Sequence, residues 1–317
     1  MKRLGKIGFV GAGGGYKGAI SVGILKALDE AGIRPEYTFA ASVNVLNFAE
    51  LFTGGIDAVI KTWKMIEKKG DGILFSIFDI PRRIVKPAIY DNDGVKKLIS
   101  NINVQALIES PILLEFPVIN ESKGRETEII SNHDERFLNN PELLGRYMLA
   151  SVSVPGFLFP IQIDTDWYSD GQYISLESAI RAKCDTIFVL LNDYSDDVEA
   201  RNPGAERWWI RFVNNYNMTL DMAMKSHIKA ILDEHKDYTI FEAGKNVPFF
   251  KKFFSVAVSM AQAVTQGDIN LVPNRIIPIA PKGPVKGLGS LSFSKNSVSL
   301  AMNHGYECAK EVIEKLK

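Results

Sequence analysis

Ser42 stands between two segments of opposite character. Tyr37 to Ala41 reads as a short apolar strand, and Val43 to Phe52 carries apolar residues at helical spacing. A serine at a sharp strand-to-helix turn has its hydroxyl lifted clear of the sheet, as in a nucleophile elbow. The usual pattern, Gly-x-Ser-x-Gly, keeps small residues beside the serine so that strand and helix approach closely. Here Ala40 and Asn44 hold those places. Ala40 is a small departure. Asn44 is a larger one, although asparagine tolerates unusual backbone angles better than most residues. A second feature is the run Gly11-Ala12-Gly13-Gly14-Gly15-Tyr16-Lys17-Gly18, between a strand (Lys6 to Val10) and a helix (Ala19 to Ala31). Backbone N–H groups in such a loop point outward with no Cβ in the way, and the helix N-terminus adds positive partial charge. The loop can hold a phosphate or an oxyanion formed in acyl transfer. The third feature is Asp170-Gly171, just after the short strand Trp167-Tyr168. A carboxylate at a strand end can reach the end of a neighbouring strand, where Ser42 would be.

The elements that must position these residues alternate. The first 55 residues read strand, glycine loop, helix, strand, tight turn, helix, which argues for a parallel sheet covered by helices. Residues 56–110 look mostly helical, interrupted by Pro81 and Pro87. Glu115 to Asn120 and Glu126 to Ser131 flank Ser122-Lys123-Gly124 as a hairpin. Pro141 to Ala150 begins as a helix with Asn140 as N-cap. Thr186 to Leu191 and Arg275 to Ile279 are further strands. Residues of about 205–265 read as helical apart from a short strand near Tyr238 to Phe241. Lys282 to Ser290 is a glycine-rich loop, and about 297–317 form a closing helix. No linker divides residues 1–317, so one domain is expected, with a central sheet of about six strands.

Composition narrows the function. Lys plus Arg number 37 and Asp plus Glu 37, so a broad electrostatic grip on nucleic acid is not expected. Two cysteines, Cys184 and Cys308, are too few for a disulfide scaffold or a cysteine-rich zinc site, which points to a reducing, cytoplasmic setting. No integral membrane segment is expected, since Phe249 to Val264 is the best apolar stretch and Lys251 and Lys252 break it. No His or Cys pair has metal-ligand spacing with a supporting partner.

Taken in order, these segments resemble the patatin-like phospholipase family over most of the chain. Gly13-Gly14-Gly15-Tyr16-Lys17-Gly18 is similar to its oxyanion loop, and Ser21 to Leu28 with Ala31-Gly32-Ile33 to its first helix. Ala41-Ser42-Val43 with Leu46-Asn47 is similar to its elbow, and Ala150 to Phe157 with Pro160 to its Ala-Ser-x-x-x-Pro segment. Asp170-Gly171 matches its Asp-Gly-Gly/Ala motif except at Gln172, and His304 to Glu307 with Ala309 resembles its last helix. The resemblance implies a three-layer α/β/α sandwich with a mainly parallel sheet. It implies lipid acyl-ester hydrolysis, of a phospholipid or lysophospholipid, by a Ser42–Asp170 dyad without histidine, metal or cofactor. Gly13, Gly14 and Gly15 would supply oxyanion donors, and Lys17 would steady the loop or add charge near it.

Other readings of the same residues stay open at this level. Ser42 could be a plain helix N-cap and Asp170 the start of a turn. The elbow substitutions could mark a silent member that binds lipid or serves a structural role. Gly13-x-Gly15-x-x-Gly18 also fits a dinucleotide fingerprint, but the acidic residue needed at the end of the second strand is missing, and Glu36 lies at its other end. Trp208-Trp209 and Phe249 to Phe254 are candidates for a lipid-facing entrance, or else for core helix faces with snorkelling lysines.

Overall fold

A computed structural model of the protein describes residues 4–70, 91–171, 173–193, 275–290 and 293–317. The helical reading of about 205–265, the strand near Tyr238 and the aromatic runs at Trp208 and Phe249 lie outside the described residues, as do Pro81 and Pro87.

The central strands are β1 (Ile7–Gly11), β2 (Tyr37–Ala40), β7 (Thr186–Leu190) and β8 (Arg275–Ile279), with β3 (Leu113–Asn120) beside β2. Each of the first four is an unbroken run of mostly apolar residues, as expected of strands covered on both faces. The pairs β1–β2, β1–β7, β2–β3 and β7–β8 are all parallel. Antiparallel pairing enters on the far side of β3, with β4 (Glu126–Ser131), β5 (Ile161–Ile163) and β6 (Asp166–Asp170). Among the described residues the sheet has eight strands. That exceeds the expected count of about six, and one strand the sequence does not announce is β5, only three residues long, which gains its order from pairing with β6 rather than from any period of its own.

Successive side chains leave the sheet on opposite faces. Phe9, Ala40, Phe188 and Ile277 join one apolar core, together with α1 (Gly18–Glu30), α2 (Val43–Lys69), α5 (Pro141–Ser151) and α7 (Ser297–Leu316). Val10, Phe39, Val189 and Ile276 join a second core with α6 (Leu176–Arg181). Helices therefore cover both faces of a mostly parallel sheet, the α/β sandwich expected from the alternating pattern. Two short helices, α3 (Asp93–Ile99) and α4 (Val104–Ile108), complete the larger core. Asn140 does precede α5, but its side chain makes no capping bond.

By length and composition α2 could cross a membrane. It is bent back on itself at Gly55, where φ is 77°. Thr62 Oγ1 donates to Glu50 Oε1 at 2.6 Å, and Trp63 Nε1 to Asn47 Oδ1 at 2.8 Å. In a straight helix those pairs would be roughly 18 and 24 Å apart along the axis. The two limbs lie side by side as a hairpin, with Trp63 against the first limb.

Candidate active site at the strand ends

β1 and β2 are parallel neighbours, and each is followed by a helix, β1 through the glycine loop and β2 through a two-residue turn. The N-termini of α1 and α2 therefore gather at one end of the sheet, and their positive partial charge converges there. Ser42 occupies the turn from β2 into α2 with φ 51° and ψ −127°. That conformation is rare and costly for a residue with a Cβ, and such strain tends to cluster at active sites. An ordinary N-cap takes an extended backbone, and its side-chain oxygen accepts a backbone N–H of the helix's first turn; Ser42 does neither, for it makes no side-chain capping bond. The plain-cap reading fails on these two facts.

Asp170 reaches the same place from a different direction. On β3, Leu113 N–H donates to Glu36 O, whereas Leu114 O accepts from Asn132 N–H beyond β4. Odd-numbered residues of β3 thus present their backbone groups to the β2 edge, and even-numbered ones to β4. β4 fills its edge from Glu115 to Asn120, so β2 and β6 must share the other. β2 occupies Leu113 to Glu115 in the parallel sense, and β6 occupies Val118 to Asn120 in the antiparallel sense. Their C-terminal ends point at one another, separated by the stretch that contains Pro117. Pro117 has no N–H to offer on that edge, so neither strand can extend past it. Ser42 follows the end of β2, and Asp170 is the end of β6. Asp170 is buried, and its N–H is fixed by Ser153 O at 3.0 Å. Ser42 Oγ makes no hydrogen bond to any described residue, Asp170 included.

The glycine loop lies over the end of β1. Gly14 has φ 139° and Gly15 φ 55°, and a Cβ on Gly15 would sit 2.0 Å from Ser290 O. Glycine is required there on both counts. The close neighbour is the glycine-rich stretch before α7, and Ser290 O accepts the Tyr16 N–H at 2.9 Å. Tyr16 is buried against Phe293, with ring centroids 4.7 Å apart. Lys17 N–H is turned back onto Gly14 O at 3.1 Å, and Lys17 Nζ pairs with Asp193 at 2.9 Å. The lysine is thus tied down at the loop's edge. The amides of Gly13, Gly14 and Gly15 are engaged by no described residue.

Beneath the loop is a buried polar network that the sequence reading missed. Asn192, just past β7, donates through Nδ2 to Ala12 O at 2.7 Å and Gly13 O at 3.1 Å. Its Oδ1 accepts from Ser21 Oγ at 2.6 Å and from Ser21 N at 3.2 Å, near the start of α1. Asn44 donates to Ala12 O at 2.5 Å and to Ser21 Oγ at 3.0 Å. Asn47 donates to Asn44 Oδ1 at 2.9 Å and in turn accepts from Trp63. The larger side chain at position 44 fits because β1 carries Gly11 opposite it, where a Cβ would be 3.0 Å from Asn44 Cβ. The small residue that permits a close strand–helix approach is on the strand, not on the helix. Asn192 had one legible signal, a polar residue directly after an apolar strand in a parallel sheet.

Other nucleophiles and bases are not prepared in this way. Burial pushes the Cys184 thiol up to about 11, and burial likewise raises Cys308. His133 is bound to Ser110 O, and His304 Nε2 accepts the Lys282 N–H. His227 and His235 lie outside the described residues. Among the described residues no three His, Cys, Asp or Glu side chains group as metal ligands do.

A family model for patatin-like phospholipases matches residues 9–175. The chain belongs to the patatin-like phospholipase family. The match takes in the loop, the elbow and Asp170-Gly171. A curated relative, a lysophospholipase (nte1) of Emericella nidulans, is 26% identical over an alignment of 265 residues that covers 76% of this chain. The chain spans only 16% of that relative's length. Among solved structures, VipD from Legionella pneumophila aligns over 98% of this chain and 67% of its own, with 13% identity and a TM-score of 0.48.

Proposed function

We propose that this protein hydrolyses carboxylic esters of lipids, phospholipids or lysophospholipids, with Ser42 as nucleophile and Asp170 as its base. The observation that carries this reading is the backbone of Ser42, held at φ 51° and ψ −127° in a turn where nothing but its hydroxyl gains from the strain. Membership of a family of lipid acyl hydrolases supports the reaction class, and the lysophospholipase relative makes a lysophospholipid the first substrate to try.

In this mechanism the acyl carbonyl lies over the start of α2, with its oxygen toward Gly13, Gly14 and Gly15. Ser42 Oγ attacks the carbonyl carbon while its proton passes to the Asp170 carboxylate. Hydrogen bonds of this kind often form only when substrate compresses the site, so the open Ser42 hydroxyl is compatible with the role. The tetrahedral oxyanion is held by the loop amides and by the N-terminal ends of α1 and α2. Collapse expels the alcohol, which takes the proton from Asp170 and leaves an acyl ester on Ser42. Water then attacks that ester and gives its proton to Asp170. The second collapse returns the proton to Ser42 Oγ and frees the fatty acid.

Fluorophosphonate labelling read by intact mass tests the reading on wild type, Ser42→Ala and Asp170→Asn. The expected result is one adduct on wild type, none on Ser42→Ala and a strongly slowed adduct on Asp170→Asn. A folded wild type that takes no adduct would refute it and leave a lipid-binding or structural member of the family.

A further inference from the structure

We propose that Asn192 and Asn44 are positioning residues that set the oxyanion loop, and that asparagine at the elbow is part of the working site rather than a mark of its loss. The inference rests on the hydrolase reading above and extends it to two residues outside the dyad. In a trans peptide the carbonyl and the following N–H point in opposite directions. Ala12 O is drawn into the core by two amides, Asn44 Nδ2 at 2.5 Å and Asn192 Nδ2 at 2.7 Å, and Gly13 O by Asn192 at 3.1 Å. The Gly13 and Gly14 N–H groups must therefore turn the other way, out of the core and over the strand ends. Without these pins the glycines have no side chains to hold either peptide plane, and a flipped plane would present a carbonyl to the oxyanion.

The pins are themselves fixed. Both asparagines are buried, at 2% exposure for Asn192 and 0% for Asn44. Asn192 Oδ1 is bound by both Ser21 N–H and Ser21 Oγ, which settles which end of its amide faces the loop. Asn44 is anchored through Asn47 to Trp63 on the second limb of α2. A satisfied buried network of this kind locks rotamers as well as adding stability. It also ties the loop to the elbow directly, since Asn44 is two residues from Ser42 and holds the loop's first carbonyl.

The test compares wild type, Asn192→Leu, Asn192→Asp and Asn44→Gly. Asn192→Leu is expected to lower kcat on a p-nitrophenyl ester by about 100-fold, the usual loss for an oxyanion donor, with KM little changed. Asn192→Asp can donate only while its carboxyl is protonated, so its activity should recover toward acid pH. Wild-type activity should show no such rise. Asn44→Gly, which restores the second glycine of the common elbow pattern, should be slower than wild type. Hydrogen exchange over residues 11–17 gives a readout independent of activity, expected to quicken by about 10-fold in Asn192→Leu and Asn44→Gly. Wild-type rates in these variants, or unchanged loop exchange, would overturn the proposal, as would faster hydrolysis by Asn44→Gly. If wild type itself takes no fluorophosphonate, the hydrolase reading fails and loop exchange alone decides the pinning. If Asn192→Leu does not fold, the pH profile of Asn192→Asp carries the comparison.

Discussion

Replacing Ser42 by glycine should make the protein more stable, whereas replacing it by alanine should not. The serine sits at φ 51° and ψ −127°, where a Cβ collides with the backbone. Strain of this kind costs about 1–3 kcal/mol. Alanine keeps the Cβ and so keeps the strain. Glycine removes it, at an opposing cost of about 0.5–1 kcal/mol from the freer unfolded chain. The hydroxyl makes no capping bond, so losing it subtracts nothing from the helix. The difference between Ser42→Gly and Ser42→Ala should be on the order of 1 kcal/mol. With 317 residues and about 2.1 cal/mol/K of unfolding entropy per residue, 1 kcal/mol corresponds to roughly 1.5 °C. Calorimetry on wild type and both variants can resolve that shift. Ser42→Gly melting at or below Ser42→Ala would show that the turn is relaxed, and the argument for a strained nucleophile would fall.

Three further outcomes follow from the same geometry. Gly15→Ala places a Cβ 2.0 Å from Ser290 O, so the loop must shift and the Tyr16–Ser290 bond must break; fluorophosphonate labelling should fall by about 100-fold, and normal labelling would refute the role of the loop. Glu67 at the end of α2 accepts from Ser299 N at 2.9 Å and from Ser299 Oγ, capping α7 from another helix, so Glu67→Ala should cost about 1 kcal/mol in denaturant unfolding. His304 has its pKa lowered from 6.5 by burial first and then by Lys282, so its contribution to stability is complete above about pH 6.5 and is lost as pH falls through the folded value. Protonation would also take the lone pair that accepts the Lys282 N–H, and His304→Gln should flatten the acid side of the stability profile.

The parallel half of the fold was legible because each strand there is buried on both faces and needs no partner to identify it. Ile7–Gly11, Tyr37–Ala40, Thr186–Leu190 and Arg275–Ile279 all read as short apolar runs. The fold-back of α2 falls at Gly55, and only the Glu50–Thr62 and Asn47–Trp63 contacts reveal how tight it is. β5 and α6 were missed for a common reason. Elements of three and six residues are shorter than one full repeat of a convincing pattern, and their order comes from β6 and from the second core.

The site divides in the same way. Ser42 and the glycine loop are local constructions, each a strand, a turn and a helix in succession, and their placement at the strand ends could be read from order and spacing. The approach of Asp170 could not, since it depends on a proline in a third strand. Pro117 withholds one N–H from the edge that β2 and β6 share, so both strands stop, and two C-terminal ends meet where a continuous sheet would have had a rung. Asn192 could not be singled out for a related reason. An asparagine after a strand has many uses, and only the contact with Ala12 and Gly13 across the sheet shows which one applies. The same contact reverses the meaning of Asn44. Read along the chain, it is a missing glycine; read across it, beside Gly11 and under Ala12, it is a donor in the place where the loop needs one.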